Sequence, residues 1–194
     1  MIQEFEWQAI ASIAWSFAEM TVRDEPLLQA LSASAIALHD ATPQHLATTA
    51  WAFAQLRWTH TPSLSAIAAA ALKTCSQFEP RSSSNLVWAL ALLQVQNPPL
   101  LDAISSPSLA HLSEFSSQGL SNTAWAFAVL CSRNHRPLME ALSAAALSRL
   151  EDMLGTRHSY AVLWTMWISS TAEPSLLDVL QSSRVNDGWD RLEK

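Results

Sequence analysis

The side chains of this 194-residue chain best suited to chemistry are uncharged hydrogen-bonding groups that return in register with a recurring tryptophan. Glutamine or arginine stands seven residues before it, as Gln8, Gln44, Arg81, Gln118 and Arg157, and Ser12, Thr48, Asn85, Asn122 and Ala161 stand three before it. Six before it come Ala9, His45, Ser82, Gly119 and His158, and one after it Ser16, Ala52, Ala89, Ala126 and Thr165. At 100° per residue on a helix, the positions six before, three before and one after fall within about 60° of one another. Amides, hydroxyls and imidazoles at a regular rise can pair with the donors and acceptors of an extended polymer, and small residues between them allow close approach. The candidate ligand contacts are therefore Ser12, His45, Thr48, Arg81, Asn85, Gln118, Asn122, Arg157 and His158. The same residues have a plainer use. An Asn or Thr between helices can satisfy a neighbouring turn, and a Gln or Arg at a helix start can cap it.

Bond-making chemistry finds little to work with. The histidines His39, His45, His60, His111, His135 and His158 form no HExxH and no pair four residues apart, and Cys75 and Cys131 form no CxxC. A zinc site needs such clustering, so neither a metal nor another cofactor is expected. There is no GxSxG elbow, and Glu151 and Asp152 read as a solvated helix end rather than an acid/base pair. The expectation is a binding protein and not an enzyme.

The elements that carry these columns follow from the repeat itself. AWSFA at 14–18, AWAFA at 50–54, VWALA at 87–91, AWAFA at 124–128 and LWTMW at 163–167 place Trp15, Trp51, Trp88, Trp125 and Trp164 at intervals of 36, 37, 37 and 39 residues. That period is the signature of a stacked array whose units cannot bury an apolar face alone. Pro26, Pro62, Pro99, Pro137 and Pro174 follow the tryptophans by 11, 11, 11, 12 and 10 residues. Proline fits the first turn of a helix, so each unit divides into a tryptophan helix A and a second helix B. Leu28, Leu64, Leu101, Leu138 and Leu177 keep a constant offset of 13 on helix B. The fold expected is an all-α solenoid of five helical hairpins, with repeats at about 5–40, 41–77, 78–114, 115–153 and 154–190. Only three glycines occur, which argues against β-hairpins and phosphate-cradling loops. The tryptophans, set in alanine-rich apolar phrases, are expected in the repeat core, where packing is favoured over base stacking.

The formal net charge of −6, from 11 basic and 17 acidic residues, is not the basic footprint of most nucleic-acid binders. It leaves open how charge is distributed over one face. No charged segment followed by an apolar run opens the chain, and no apolar stretch has the length of a membrane span, about 18 residues. A membrane partner is not expected.

The fourth unit, with Phe115, Gln118, Leu120, Asn122 and Trp125, resembles the octotricopeptide repeat, a helical-hairpin unit of organellar RNA-binding proteins. It is also similar to the leucine-rich region of FAST-kinase-like proteins that carry a RAP domain. The third unit keeps Phe78, Asn85 and Trp88 and the first keeps Phe5, Gln8 and Trp15, whereas the second has Ala41 in place of the phenylalanine and the fifth departs at Leu154, Ser159 and Ala161. What the resemblance implies is binding of single-stranded RNA, in processing, stability or translation of chloroplast or mitochondrial transcripts. The competing expectation is an armadillo-type solenoid gripping an extended peptide with its asparagines. Five units at about one base each would bind RNA weakly. A further tryptophan would fall due beyond Lys194, so the chain reads as a segment of a longer array. Trp7, Ile10, Ile13 and Trp15 are then expected to form an apolar patch that favours self-association.

Overall fold

Eight helices follow one another in the computed structural model, which describes residues 7–37, 40–130 and 136–148. They are α1 (Trp7–Glu19), α2 (Glu25–Ala37), α3 (Pro43–Gln55), α4 (Thr61–Lys73), α5 (Pro80–Leu92), α6 (Pro98–Ala110), α7 (Ser117–Val129) and α8 (Arg136–Ser148). Short 3₁₀ turns at Cys75–Gln77 and Leu112–Glu114 link the third and fourth hairpins to what precedes them. The described residues thus form four hairpins of an all-α solenoid. The fifth expected unit, 154–190, lies outside them.

Local chemistry sets where each helix begins. Pro43, Pro80 and Pro98 occupy first helical positions, and Pro26, Pro62, Pro99 and Pro137 occupy second ones, where a missing N–H costs no hydrogen bond. Side chains cap the remaining donors. Thr42 Oγ1 accepts from the His45 N–H at 3.3 Å, Asn97 Oδ1 from Leu100 at 3.1 Å, Ser116 Oγ from Gly119 at 3.0 Å and Asp24 Oδ1 from Leu27 at 2.9 Å.

The A helices stop earlier than the apolar pattern suggests, and the reason repeats. Six residues after the tryptophan, Thr21, Arg57 and Gln94 adopt φ of 53°, 50° and 55°. Each N–H there bonds back to Ala18, Ala54 or Ala91, while the next residue donates to Phe17 (3.0 Å), Phe53 (2.8 Å) or Leu90 (2.8 Å). This is a Schellman stop built without glycine, closed by the apolar residues Val22, Trp58 and Val95. A non-glycine residue in the left-handed region costs about 1–2 kcal/mol. Gln94→Gly is therefore expected to stabilise the fold by about 0.5 kcal/mol once glycine's extra chain entropy is subtracted. A thermal melt should show Tm raised by about 1–2 °C, and a lowered Tm would contradict the account.

α1, α3, α5 and α7 stack in one layer, and α2, α4, α6 and α8 in the other. Successive A helices pack more densely than successive B helices. Small residues make that approach possible. Ala52, Ala89 and Ala126, one after the tryptophan, are fully buried, and a Cβ on Gly119 would come within 3.5 Å of Ser84 Oγ on the preceding A helix. Between the layers lie Phe53, Leu90 and Phe127, two after the tryptophan, with Leu28, Leu64, Leu101 and Leu138 of the B helices against them in the core. Trp58 also links the first two hairpins: its Nε1 donates to buried Ser32 at 2.9 Å, Arg23 lies over its ring at 5.9 Å, and His60 stacks beside it.

Candidate functional site

Solvent reaches each inner A helix along one narrow line. On α3 the residues not buried within the stack are Pro43, Gln44, His45, Thr48, Trp51 and Gln55; on α5 they are Pro80, Arg81, Ser82, Asn85, Trp88 and Leu92. On α7 they are Ser117, Gln118, Asn122 and Val129. Apart from Pro43, His45, Pro80, Ser82 and Ser117 of the first turns, these positions fall seven before, three before, at, and four after the tryptophan. At 100° per residue they lie within about 60° of one another, as one straight stripe.

The stripe is rotated by about 60° from the arc that sequence reasoning chose. Positions six before and one after the tryptophan belong instead to the flank that packs on the preceding repeat, which is why Ala52, Ala89, Ala126 and Gly119 are buried. His45 sits on this flank, half-buried, with Nδ1 enclosed and without a hydrogen-bond partner. Burial pushes its pKa below the usual 6.5, so the ring is neutral near pH 7 and offers no charge to a phosphate.

Of the other candidates, Thr48, Asn85 and Asn122 are half-exposed in one column, and Arg81 and Gln118 are exposed in a second. Ser12 is exposed on α1, and Gln8 of α1 and Gln44 of α3 extend the column of Arg81 and Gln118. The structure therefore brings Ser12, Thr48, Arg81, Asn85, Gln118 and Asn122 onto one surface and sets His45 beside it. Arg157, His158 and Trp164 lie outside the described residues.

The tryptophans do not share one environment. Trp125 is in the core at 4 % exposure, Trp51 and Trp88 are half-buried, and Trp15 is 47 % exposed. Against the expected tryptophan core, Trp125 lies in the core cluster, Trp51 and Trp88 pack against it from the edge of the stripe, and Trp15 stands exposed, while the residue two further on, as in Phe53 and Phe127, is fully enclosed. Ring size and an apolar setting favour burial, but the two positions are about 200° apart on the helix, on opposite faces. The same geometry trims the expected apolar patch on α1. Trp7 and Ile10 are buried and Ile13 is half-buried, which leaves Trp15 with Met20 and Val22 nearby in sequence as exposed apolar side chains.

Charge is distributed unevenly. Among the described residues Arg81 is the one cation on the stripe and Glu19 the one anion; Asp24, Glu25, Asp40, Glu79, Asp102, Glu114 and Glu140 sit on turns, helix starts and B helices. Apart from Glu19, the carboxylates of the described residues are thus kept off the stripe. Also among the described residues, no group of three or more His, Cys, Asp or Glu side chains is arranged to hold a metal ion. No described helix is long and apolar enough to cross a membrane.

No curated protein matches the chain. A family model does, over residues 1–169, and its description names neither octotricopeptide nor FAST-kinase-like proteins. By that match, which takes in all four hairpins just described, the chain belongs to the family described as RESC6, RNA-editing substrate-binding complex 6 protein.

Proposed function

We propose that this chain binds single-stranded RNA along the stripe of its A helices, as a substrate-holding member of an RNA-editing assembly rather than as a catalyst. The observation that carries the reading is the stripe itself: mostly neutral amides and hydroxyls in two aligned columns beside half-buried indoles, with every described carboxylate except Glu19 elsewhere. Base edges are read by such groups, and neutral side chains contact them without the desolvation that a charged residue incurs. Family membership supports the same polymer, since the family's description names RNA-editing substrate binding. The resemblance to organellar RNA-binding repeats suggests action on chloroplast or mitochondrial transcripts.

With Arg81 as the single stripe cation among the described residues, phosphate contacts there contribute little. Binding of a random single-stranded RNA pool to residues 1–194 is expected to be weak, and log K should fall with log salt at a slope of only about −1, from one or two phosphate contacts at about −0.7 each. Fluorescence anisotropy across a salt series measures this. Failure to bind RNA together with tight binding of an extended basic peptide would transfer the stripe to the armadillo-type reading.

A further inference from the structure

We propose that Trp15, Trp51 and Trp88 are stacking platforms on which successive RNA bases lie, one base per repeat, while the side chain three residues earlier reads the edge of the base. The inference rests on the RNA-binding reading and deepens it by giving the rings a role in recognition.

Four observations lead to it. Trp51 and Trp88 share the arc of exposed Gln44 and Arg81 and are half-buried there, whereas Trp125 at the same phase is enclosed. Their partners differ from those of the other described rings. Trp58 is engaged by Ser32, Arg23 and His60; Trp125 is almost fully covered; among the described residues no hydrogen bond or ring contact holds Trp51 or Trp88, although both rest against the core. Each of these two indoles thus rests against the core and remains in part accessible to solvent. Asn85 stands three residues before Trp88, and Thr48 three before Trp51, so each pair has Cβ atoms about 5–6 Å apart on one helix face. Helical side chains lean towards the N-terminus, which carries the indole towards the amide or hydroxyl one turn back.

Helical-repeat readers of RNA use about one base per repeat, which sets one base against each unit. Trp125, closed at 4 % exposure, takes no base. The platforms therefore fade along the array from Trp15 to Trp125.

The test uses the whole 194-residue protein with two probes, a twelve-nucleotide oligoadenylate and a ribose-phosphate oligomer of the same length without bases. Stacking on an aromatic side chain contributes enough that its loss lowers affinity by about tenfold per ring. The Trp51→Leu and Trp88→Leu variants should each lose about that much for oligoadenylate and nothing for the abasic oligomer, whereas Trp125→Leu should lower Tm and leave RNA affinity unchanged. Ultraviolet cross-linking of the wild-type protein to oligoadenylate, mapped by mass spectrometry, avoids any folding defect and should mark Trp15, Trp51 and Trp88. Equal losses for both probes, or cross-links elsewhere while RNA is still bound, would overturn the stacking role alone. Absence of oligoadenylate binding by the wild type would overturn the RNA reading and the stacking role with it.

Discussion

Phe53→Ala is expected to destabilise the array by about 3–5 kcal/mol, the usual cost of truncating a fully buried aromatic ring. Phe53 is entirely enclosed in the core and stands next to Ala52 and Ala54, which are equally buried and too small to refill its space. Its carbonyl also accepts the Trp58 N–H that closes α3, so collapse around the cavity would loosen the stop of that helix. In a stacked array each hairpin is stabilised by its neighbours, and a defect in the second hairpin weakens the first and the third. A chain of this size loses about 2–4 °C for each kcal/mol, which makes a fall of about 10 °C the expected reading in a thermal melt. Trp51→Ala is the informative comparison. It removes a larger ring from a half-buried site and should cost clearly less. Equal losses at the two positions would mean that the phase separating core from stripe is wrong.

Replacing Thr48, Asn85 and Asn122 together by alanine should leave Tm within about 2 °C of wild type and reduce single-stranded RNA affinity by about a hundredfold. Each of the three is half-exposed on the stripe. If each makes one hydrogen bond to RNA, its loss costs about 0.5–1.5 kcal/mol, and three such losses amount to about 3 kcal/mol. Alanine is also the strongest helix former, so the helices themselves are not weakened. Circular dichroism and anisotropy on the same preparation separate the two effects. A large drop in Tm would mean that these side chains serve the packing of the A layer, and unchanged affinity with unchanged Tm would remove them from the site.

The adjacent threonines show why phase matters so much. Thr48 and Thr49 are neighbours in sequence, yet one is half-exposed and the other is fully buried with its hydroxyl unpartnered. Asn122 and Thr123 repeat the contrast. A step of 100° carries a side chain from the solvent line to the contact between repeats. Both residues are polar, so composition alone cannot say which of them faces water.

The architecture is legible in the chain: the tryptophan interval, the proline that opens helix B and the leucine at its constant offset are local signals, and local chemistry is enough to form and end a helix. The chain also marks Ser12, Thr48, Asn85 and Asn122 as one column, because residues at one phase of equivalent helices must align. The tertiary structure alone decided which arc of helix A remains open, since both flanks become buried only when a neighbouring repeat arrives. That is why Ala52 and Gly119 proved to be contacts between helices rather than parts of a ligand surface, and why the tryptophans lie beside the asparagines. Amphipathicity shows how apolar each side chain is, but in an alanine-rich helix covered on three sides the open face is fixed by what packs against it.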